Sequence, residues 1–218
     1  MSEQVKKGAG QLPYIVLSTF MLGYLNAFST LSENNSMVGL LTGSFVRWGI
    51  MLATRDFSGM DKNTALLLGF CLACVLSAIL LKNFKNTNRE RLVLWTVFSL
   101  PVWVNFFAFS FLTVWQSIFI LSFNGGIGLS FFREFGDVDA NKNIHTGNMK
   151  NFVVALYELI FRKSTSSLGK ALKFAALILL FMAGSYGAAL AHPHGEAFSL
   201  GLISLLSLFP YVFIFKKD

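Results

Sequence analysis

Charged side chains are scarce in this chain: Asp, Glu, Lys and Arg together make up 13% of its 218 residues, where a soluble domain carries about 25%. So low a share excludes an ordinary water-facing surface. Cysteine is nearly absent, and the two copies, Cys71 and Cys74, fall in one apolar run among Leu, Ala and Val. No disulfide framework follows from them. A redox pair would need an exposed, electropositive setting to lower a thiol pKa, so the two read as small, soft packing residues of a membrane helix. Histidine is equally sparse. His192-Pro193-His194 offers two ligands in a loop and lacks the third and fourth that zinc requires. No G-x-S-x-G, H-E-x-x-H, P-loop or dinucleotide fingerprint occurs, and no catalytic triad or carboxylate pair can be assembled. The chain therefore reads as neither an enzyme nor a holder of a metal or cofactor.

What is present is apolar. Hydrophobic residues reach 54%, phenylalanine alone has 24 copies, and the mean hydropathy is +0.59. The net charge of +7 would suit nucleic acid, but the basic residues sit in short clusters beside apolar runs, the pattern of cytoplasmic loops between membrane spans. Those clusters are Lys6/Lys7, Lys82/Lys85/Arg89/Arg91, Arg162/Lys163/Lys170/Lys173 and Lys216/Lys217. The implied partner is a lipid bilayer, not nucleic acid.

Leu12 to Leu31 supplies about 20 apolar-dominated residues, enough for a ~30 Å hydrocarbon core. No small-residue cleavage site follows it, so a retained span is preferred to a signal peptide. Further apolar segments cover Met37–Thr54, Thr64–Leu81, Leu92–Phe132, Ile144–Phe161, Ala171–Ala191 and Ala197–Phe215. The Leu92–Phe132 stretch is too long for one span. Pro101 and Asn105 interrupt it, which predicts a tight turn near Asn105–Ser110. If every segment crossed, one strongly basic loop would lie outside. If Met37–Thr54 and Ile144–Phe161 instead enter and leave on one side, all basic clusters become cytoplasmic and the His192–Glu196 loop faces out.

The expected fold is therefore an all-α polytopic membrane protein, with six transmembrane helices plus two re-entrant half-helix segments and both termini cytoplasmic. Each half then holds an odd number of spans, so 110–218 sits upside down relative to 1–109. That is an inverted-topology repeat forming one membrane domain, an architecture common in secondary transporters. The two halves share internal features. Gly23-Tyr24-Leu25-Asn26-Ala27 precedes Leu41-Thr42-Gly43-Ser44-Phe45-Val46-Arg47, and Gly126-Ile127-Gly128-Leu129-Ser130 precedes His145-Thr146-Gly147-Asn148 at matching spacing. The following span in each half is rich in small residues: Gly69, Cys71, Ala73 and Cys74, then Gly184, Ser185, Gly187, Ala188 and Ala189. Small residues let membrane helices approach closely, so both read as inner packing helices.

Gly-Tyr-x-Asn/Asp-Ala, a Thr-Gly-Ser/Asn turn about twenty residues on, and a second Thr-Gly-Asn after a Gly-rich span and the Arg133-Glu134-Phe135-Gly136 loop resemble the bacterial YoaK-like family over Tyr14 to Phe215. The resemblance implies a polytopic protein of the bacterial inner (plasma) membrane with no settled activity. This chain has Asn26 and Ser44 where that family usually carries Asp and Asn, and Gly128-Leu129 stands in for a polar pair.

Backbone that stops inside a bilayer leaves unsatisfied groups, tolerable only against protein or a wet cavity. Thr42, Gly43, Ser44 and Thr146, Gly147, Asn148 suit the starts of half-helices, with hydroxyls capping free N–H groups and glycine permitting the turn. Entering from opposite faces, the two starts would meet near the midplane. Their partial positive charge and exposed donors favour an anionic solute. Arg47 lies one helical turn past Gly43 and adds a full positive charge, or else snorkels to the interface. Lys150 or Asn151 takes the comparable place in the second copy. Asn26 and Asn124 flank the glycine motifs and would line the cavity. Asn105 and Gln116 read as interhelical hydrogen bonds. Glu158 reads as an interfacial salt bridge to Arg162 or Lys163 ahead of a proton carrier. Together these features predict a secondary transporter or channel for a small anionic solute. The alternative from another class is a non-transporting scaffold or partner subunit. A homodimer is compatible with so small a transporter, although no interface is specified.

Overall fold

The computed structural model describes residues 3–32, 41–82, 84–85, 87–135, 137–139 and 145–214. Nine α-helices account for nearly all of them: α1 Glu3–Ser32, α2 Leu41–Thr54, α3 Met60–Leu81, α4 Asn88–Ala108, α5 Val114–Ser130, α6 His145–Phe161, α7 Thr165–Ala191, α8 Glu196–Leu206 and α9 Phe209–Ile214. A small antiparallel hairpin, β1 Glu134–Phe135 with β2 Val138–Asp139, follows α5. Among the described residues four stretches are long and apolar enough to cross a membrane: Gln11–Ser32, Met60–Leu81, Asn88–Ala108 and Thr165–His194. The chain is an all-α protein of the membrane type. Of these stretches Gln11–Ser32 is the most enclosed, 61% buried against 28% for Met60–Leu81, which makes α1 the central helix.

Two boundaries differ from the sequence expectation. The turn between α4 and α5 lies at Phe109–Thr113, not Asn105–Ser110. Pro101 is accommodated inside α4, and α5 is started by a capping box in which Gln116 bonds back to the Thr113 N–H at 2.9 Å. Gln116 thus caps its own helix and makes no interhelical bond among the described residues. Asn105 stays helical and fully buried, its amide donating to the Ser117 hydroxyl at 3.1 Å. The Ala197–Phe215 segment is also broken, at Ser207-Leu208. Pro210 has no N–H to return to the Leu206 carbonyl, and two indoles stabilise the break instead. Trp95 Nε1 donates to the Ser207 carbonyl at 2.8 Å, and Trp103 Nε1 to its hydroxyl at 2.9 Å.

Helix pairing follows the small residues. The two most extensive contacts are α3 with α5 and α1 with α7, and each is a reciprocal glycine contact. A Cβ on Gly23 would fall 2.1 Å from the Phe181 carbonyl oxygen, and one on Gly184 would fall 2.0 Å from that of Phe20. In the other pair a Cβ on Gly69 would fall 2.4 Å from the Phe119 carbonyl, and one on Gly126 would fall 2.7 Å from Ala73 Cβ. Backbone touching backbone is the driving contact where lipid removes the hydrophobic gain. Ser185 adds a hydrogen bond to the Gly23 carbonyl at 3.0 Å. Within α3, Gly69 and Ala73 face inward, whereas Cys71 is exposed and Cys74 only partly buried. Cys71 therefore does not share the inner packing role of its small neighbours. The α3 stripe Leu68, Leu72, Val75 and Ile79 faces outward, where apolar groups meet lipid at no cost.

The hairpin shows which helix ends lie together. Tyr14 stacks on Phe132 with ring centroids 4.9 Å apart and tilts against Trp95 at 5.7 Å. Asp137 pairs with Lys173, and Arg133 pairs with Asp139 through a contact of 2.6 Å. The beginnings of α1, α4 and α7 and the end of α5 therefore share one end of the molecule.

Candidate functional site

Helix α6 runs back along α7. The His145 ring lies 4.1 Å from that of Phe181, while the Glu158 carboxylate accepts from the Ser167 hydroxyl at 2.7 Å. Phe181 is sixteen residues past Thr165, about 24 Å along the helix at roughly 1.5 Å per residue. It abuts Gly23, which lies midway along the Gln11–Ser32 stretch. So α6 begins level with the middle of two long apolar helices and ends at the start of α7. The hairpin before it lies at that same end, held by the Lys173–Asp137 pair. Glu158 meets Ser167; among the described residues no ion pair joins it to Arg162 or Lys163. The salt bridge expected for it gives way to a hydroxyl contact, because α6 turns that carboxylate toward α7.

Helix α2 is placed similarly against α3. Leu41 packs on the cluster Ala65, Leu66 and Ile118, inside the start of α3, whereas Arg47 and Met51 face Ser58 to Asn63 at its very beginning. Like α6, α2 starts deeper than it finishes. The paired motifs take matching positions: Thr42 and Thr146 are exposed, whereas Ser44 and Asn148 are buried. Gly43 is exposed and Gly147 half-buried, while Lys150 and Asn151 are exposed.

The capping role expected of the threonines differs in detail. Helices α2 and α6 begin at Leu41 and His145, so Thr42 and Thr146 already lie in the first helical turn. A capping residue must be non-helical, and positions 40 and 144, which precede the helices, lie outside the described residues, as do 33–39 and 140–143. Gly43 is likewise helical, and among the described residues a Cβ there would meet nothing within 4 Å, so none of them requires that glycine by a close approach. Arg47 is exposed and sits by the first residues of α3, away from the half-buried Leu41 end.

Asn26 is buried on α1 three residues past Gly23 and donates to the Leu22 carbonyl at 2.8 Å. Asn124, fully buried on α5, donates to the Phe98 carbonyl of α4. Phe98 lies in the turn that Pro101 loosens, where carbonyls welcome an outside donor. Among the described residues the enclosed Asn124 carbonyl oxygen has no hydrogen-bond partner. Asn26 and Asn124 thus lie on two central helices in contact with each other. The α6 start reaches the same level through Phe181 and Gly23. Arg47 does not join that group.

Several contributors were not singled out from sequence. Tyr24, inside the Gly-Tyr motif, bonds through its hydroxyl to the Ser199 carbonyl at 2.9 Å and hydroxyl at 2.7 Å. The motif itself was the signal, since a buried Tyr must find a partner. Outside the apolar helices, the Lys173 ammonium beside Asp137 holds that carboxyl below its ordinary range. The Ser58 backbone N–H does the same for Asp56, at 3.0 Å. Among the described residues no three His, Cys, Asp or Glu side chains gather as a metal site.

Residues 14–213 match the family described as protein of unknown function (DUF1275). No curated protein and no solved structure matches the chain. No named relative therefore stands behind the YoaK-like resemblance.

Proposed function

We propose that this chain, which belongs to the DUF1275 family of proteins of unknown function, is a small transporter or channel of the bacterial cytoplasmic membrane. It would move a small anionic solute past the starts of two half-helices. The observation that carries the reading is the course of α6, which enters and leaves at one end of the molecule yet begins beside Phe181 and Gly23 at mid-depth. A helix start at such depth is tolerated where it lines a cavity or is covered by protein, and half-helix starts of this kind hold anions in known transporters.

The inverted repeat, 1–109 against 110–218, is part of the same proposal, with six crossings and two re-entrant helices. The pairing pattern supports it. Exchanging α1 with α5, α2 with α6, α3 with α7 and α4 with α8 turns the α3–α5 contact into α7–α1 and the α2–α3 contact into α6–α7. Basic loops at the hairpin end would face the cytoplasm, with both chain ends there. Catalysis has no part in this reading. Asn26, Asn124, Thr146, Gly147 and Asn148 form the inner site, and Thr42, Gly43 and Ser44 the counterpart on α2. Arg47 lies nearer the surface.

The test is flux of small inorganic and organic anions into proteoliposomes, wild type against Asn148→Ala and Thr146→Ala. Gly147→Cys labelling by a water-soluble thiol reagent serves as a second readout. Uptake above empty liposomes that falls about tenfold in the variants supports the site. Background uptake across the panel, with Gly147→Cys unreachable from either side, would replace the transporter with a membrane scaffold or partner subunit.

A further inference from the structure

The beginning of α3 and the flank of α2 border an open cavity of about 390 Å³ lined by Arg47, Met51, Ser58, Gly59, Asp61, Lys62 and Asn63. Two cations and one acid give the lining a net positive charge. Gly59 stands at the α3 N-cap with φ 78° and supplies no side-chain cap, so the positive end of the helix dipole also opens here. Asn63 provides the built element. It is 4% exposed, lines the cavity, and among the described residues its amide nitrogen has only the Met51 sulfur at 3.9 Å as a side-chain partner. Thioether sulfur is a weak acceptor, and a nearly buried amide held by it alone retains capacity for a stronger partner.

Depth narrows what that partner is. The apolar stretch of α3 begins at Met60, so the cavity sits where hydrocarbon gives way to headgroups. Beside it the outer face of α2 presents Phe45, Val46 and Ile50 outward. Arg47, Lys62, Asn63 and Ser58 line the cavity at that level, next to an apolar face. We infer that this cavity binds a phosphate group, either in the headgroup of an anionic phospholipid whose chains lie along α2 or in a free phosphate-bearing solute. Arg47 would chelate two phosphate oxygens and Lys62 would add a point charge. Asn63 and Ser58 would donate to the remaining oxygens. Asp61 limits the charge that the site accepts. The inference stands apart from the transport reading, since it uses neither α6 nor any flux.

The test uses the full chain purified in a non-ionic detergent, with binding followed by titration calorimetry. One arm adds inorganic phosphate, and the other adds short-chain phosphatidylglycerol below its micelle concentration. Binding of at least one probe is expected, weakened roughly tenfold to thirtyfold in Arg47→Gln/Lys62→Gln, from the loss of two charges near a membrane surface. The pair Lys85→Gln/Arg89→Gln, in the loop before α4 and the first turn of α4, should leave it unchanged. Phosphate binding alone identifies a solute site, and lipid binding alone identifies a headgroup site. Because a double variant can fail to fold, Asp61→Asn is measured as well, and it should tighten binding several-fold. No binding of either probe, or equal losses from the two charge pairs, or no change in Asp61→Asn, would overturn the inference.

Discussion

Trp95 and Ser207 are 112 positions apart, yet the indole N–H of the first donates to the backbone carbonyl of the second at 2.8 Å. That carbonyl lies at the break between α8 and α9, where Pro210 prevents a continuous helix. Replacing Trp95 with Phe keeps most of the ring packing against Tyr14 and Phe98 and removes only the donor. The expected cost is about 1–3 kcal/mol, read as an earlier melting midpoint in detergent. Trp103→Phe should cost less, because the Ser207 hydroxyl that it serves also bonds to Ser204.

The glycine contacts predict a contrast between two single-carbon changes. Gly184→Ala puts a methyl group 2.0 Å from the Phe20 carbonyl oxygen, with no flexible side chain able to yield. Such a variant should lose the monodisperse peak in size-exclusion chromatography or melt far earlier. Gly43→Ala adds the same carbon into open space. Within a helix it should stabilise by about 0.5–1 kcal/mol. Equal behaviour of the two would mean that α1 and α7 do not touch along their backbones.

Reporter fusions test the path of the chain. A fusion after Ser58 should report the outside and one after Ser164 the cytoplasm. A cytoplasmic Ser58 would make α2 a full crossing and remove the first re-entrant segment.

The Asp137–Lys173 pair predicts a modest acid dependence. Its carboxyl is held below the ordinary range mainly by the Lys173 hydrogen bond. Such a group contributes stability that is fully present above its unfolded pKa, near 3.9, and lost as pH falls through the lower folded value. The wild type should therefore melt slightly above Asp137→Asn at neutral pH, with the gap closing below about pH 4. The carboxylate side chain is 55% exposed, so a difference of a few tenths of a kcal/mol is expected. A gap that persists at pH 2 would show that the amide disturbs something other than the ion pair.

Much of the scaffold was legible in residue order because the bilayer imposes a simple rule on long apolar runs. The Thr64–Leu81 and Ala171–Ala191 segments became α3 and α7, with Gly69 and Gly184 at their contacts. Ends and breaks were less legible. Asn105 and Pro101 looked like a turn, yet a helix inside apolar surroundings tolerates a proline when neighbours serve its loosened carbonyls, as Asn124 serves Phe98. The Ser207 break depends on two indoles over a hundred residues away, which no local pattern announces. Of the second Thr-Gly motif the structure shows only the position: Thr146 and Asn148 lie in the first turns of α6, which begins beside Phe181. Arg47 shows the limit: helical periodicity placed it on the face of Gly43, but only the docking of α2 against the start of α3 reveals how shallow it lies.

The glycine-locked pairs carry a consequence for biosynthesis. The closest partner of α1 is α7, and that of α3 is α5, so neither half of the chain contains the helix against which its own inner helix packs. When the ribosome has finished the first half, Gly23 and Gly69 are still without their neighbours. At about 5–20 residues per second, α1 waits roughly 8–30 s for Phe181 to be made. Assembly must therefore follow membrane insertion. The two halves made as separate polypeptides should be degraded when expressed alone and protect each other when expressed together, each lending the other the helix that it cannot supply itself.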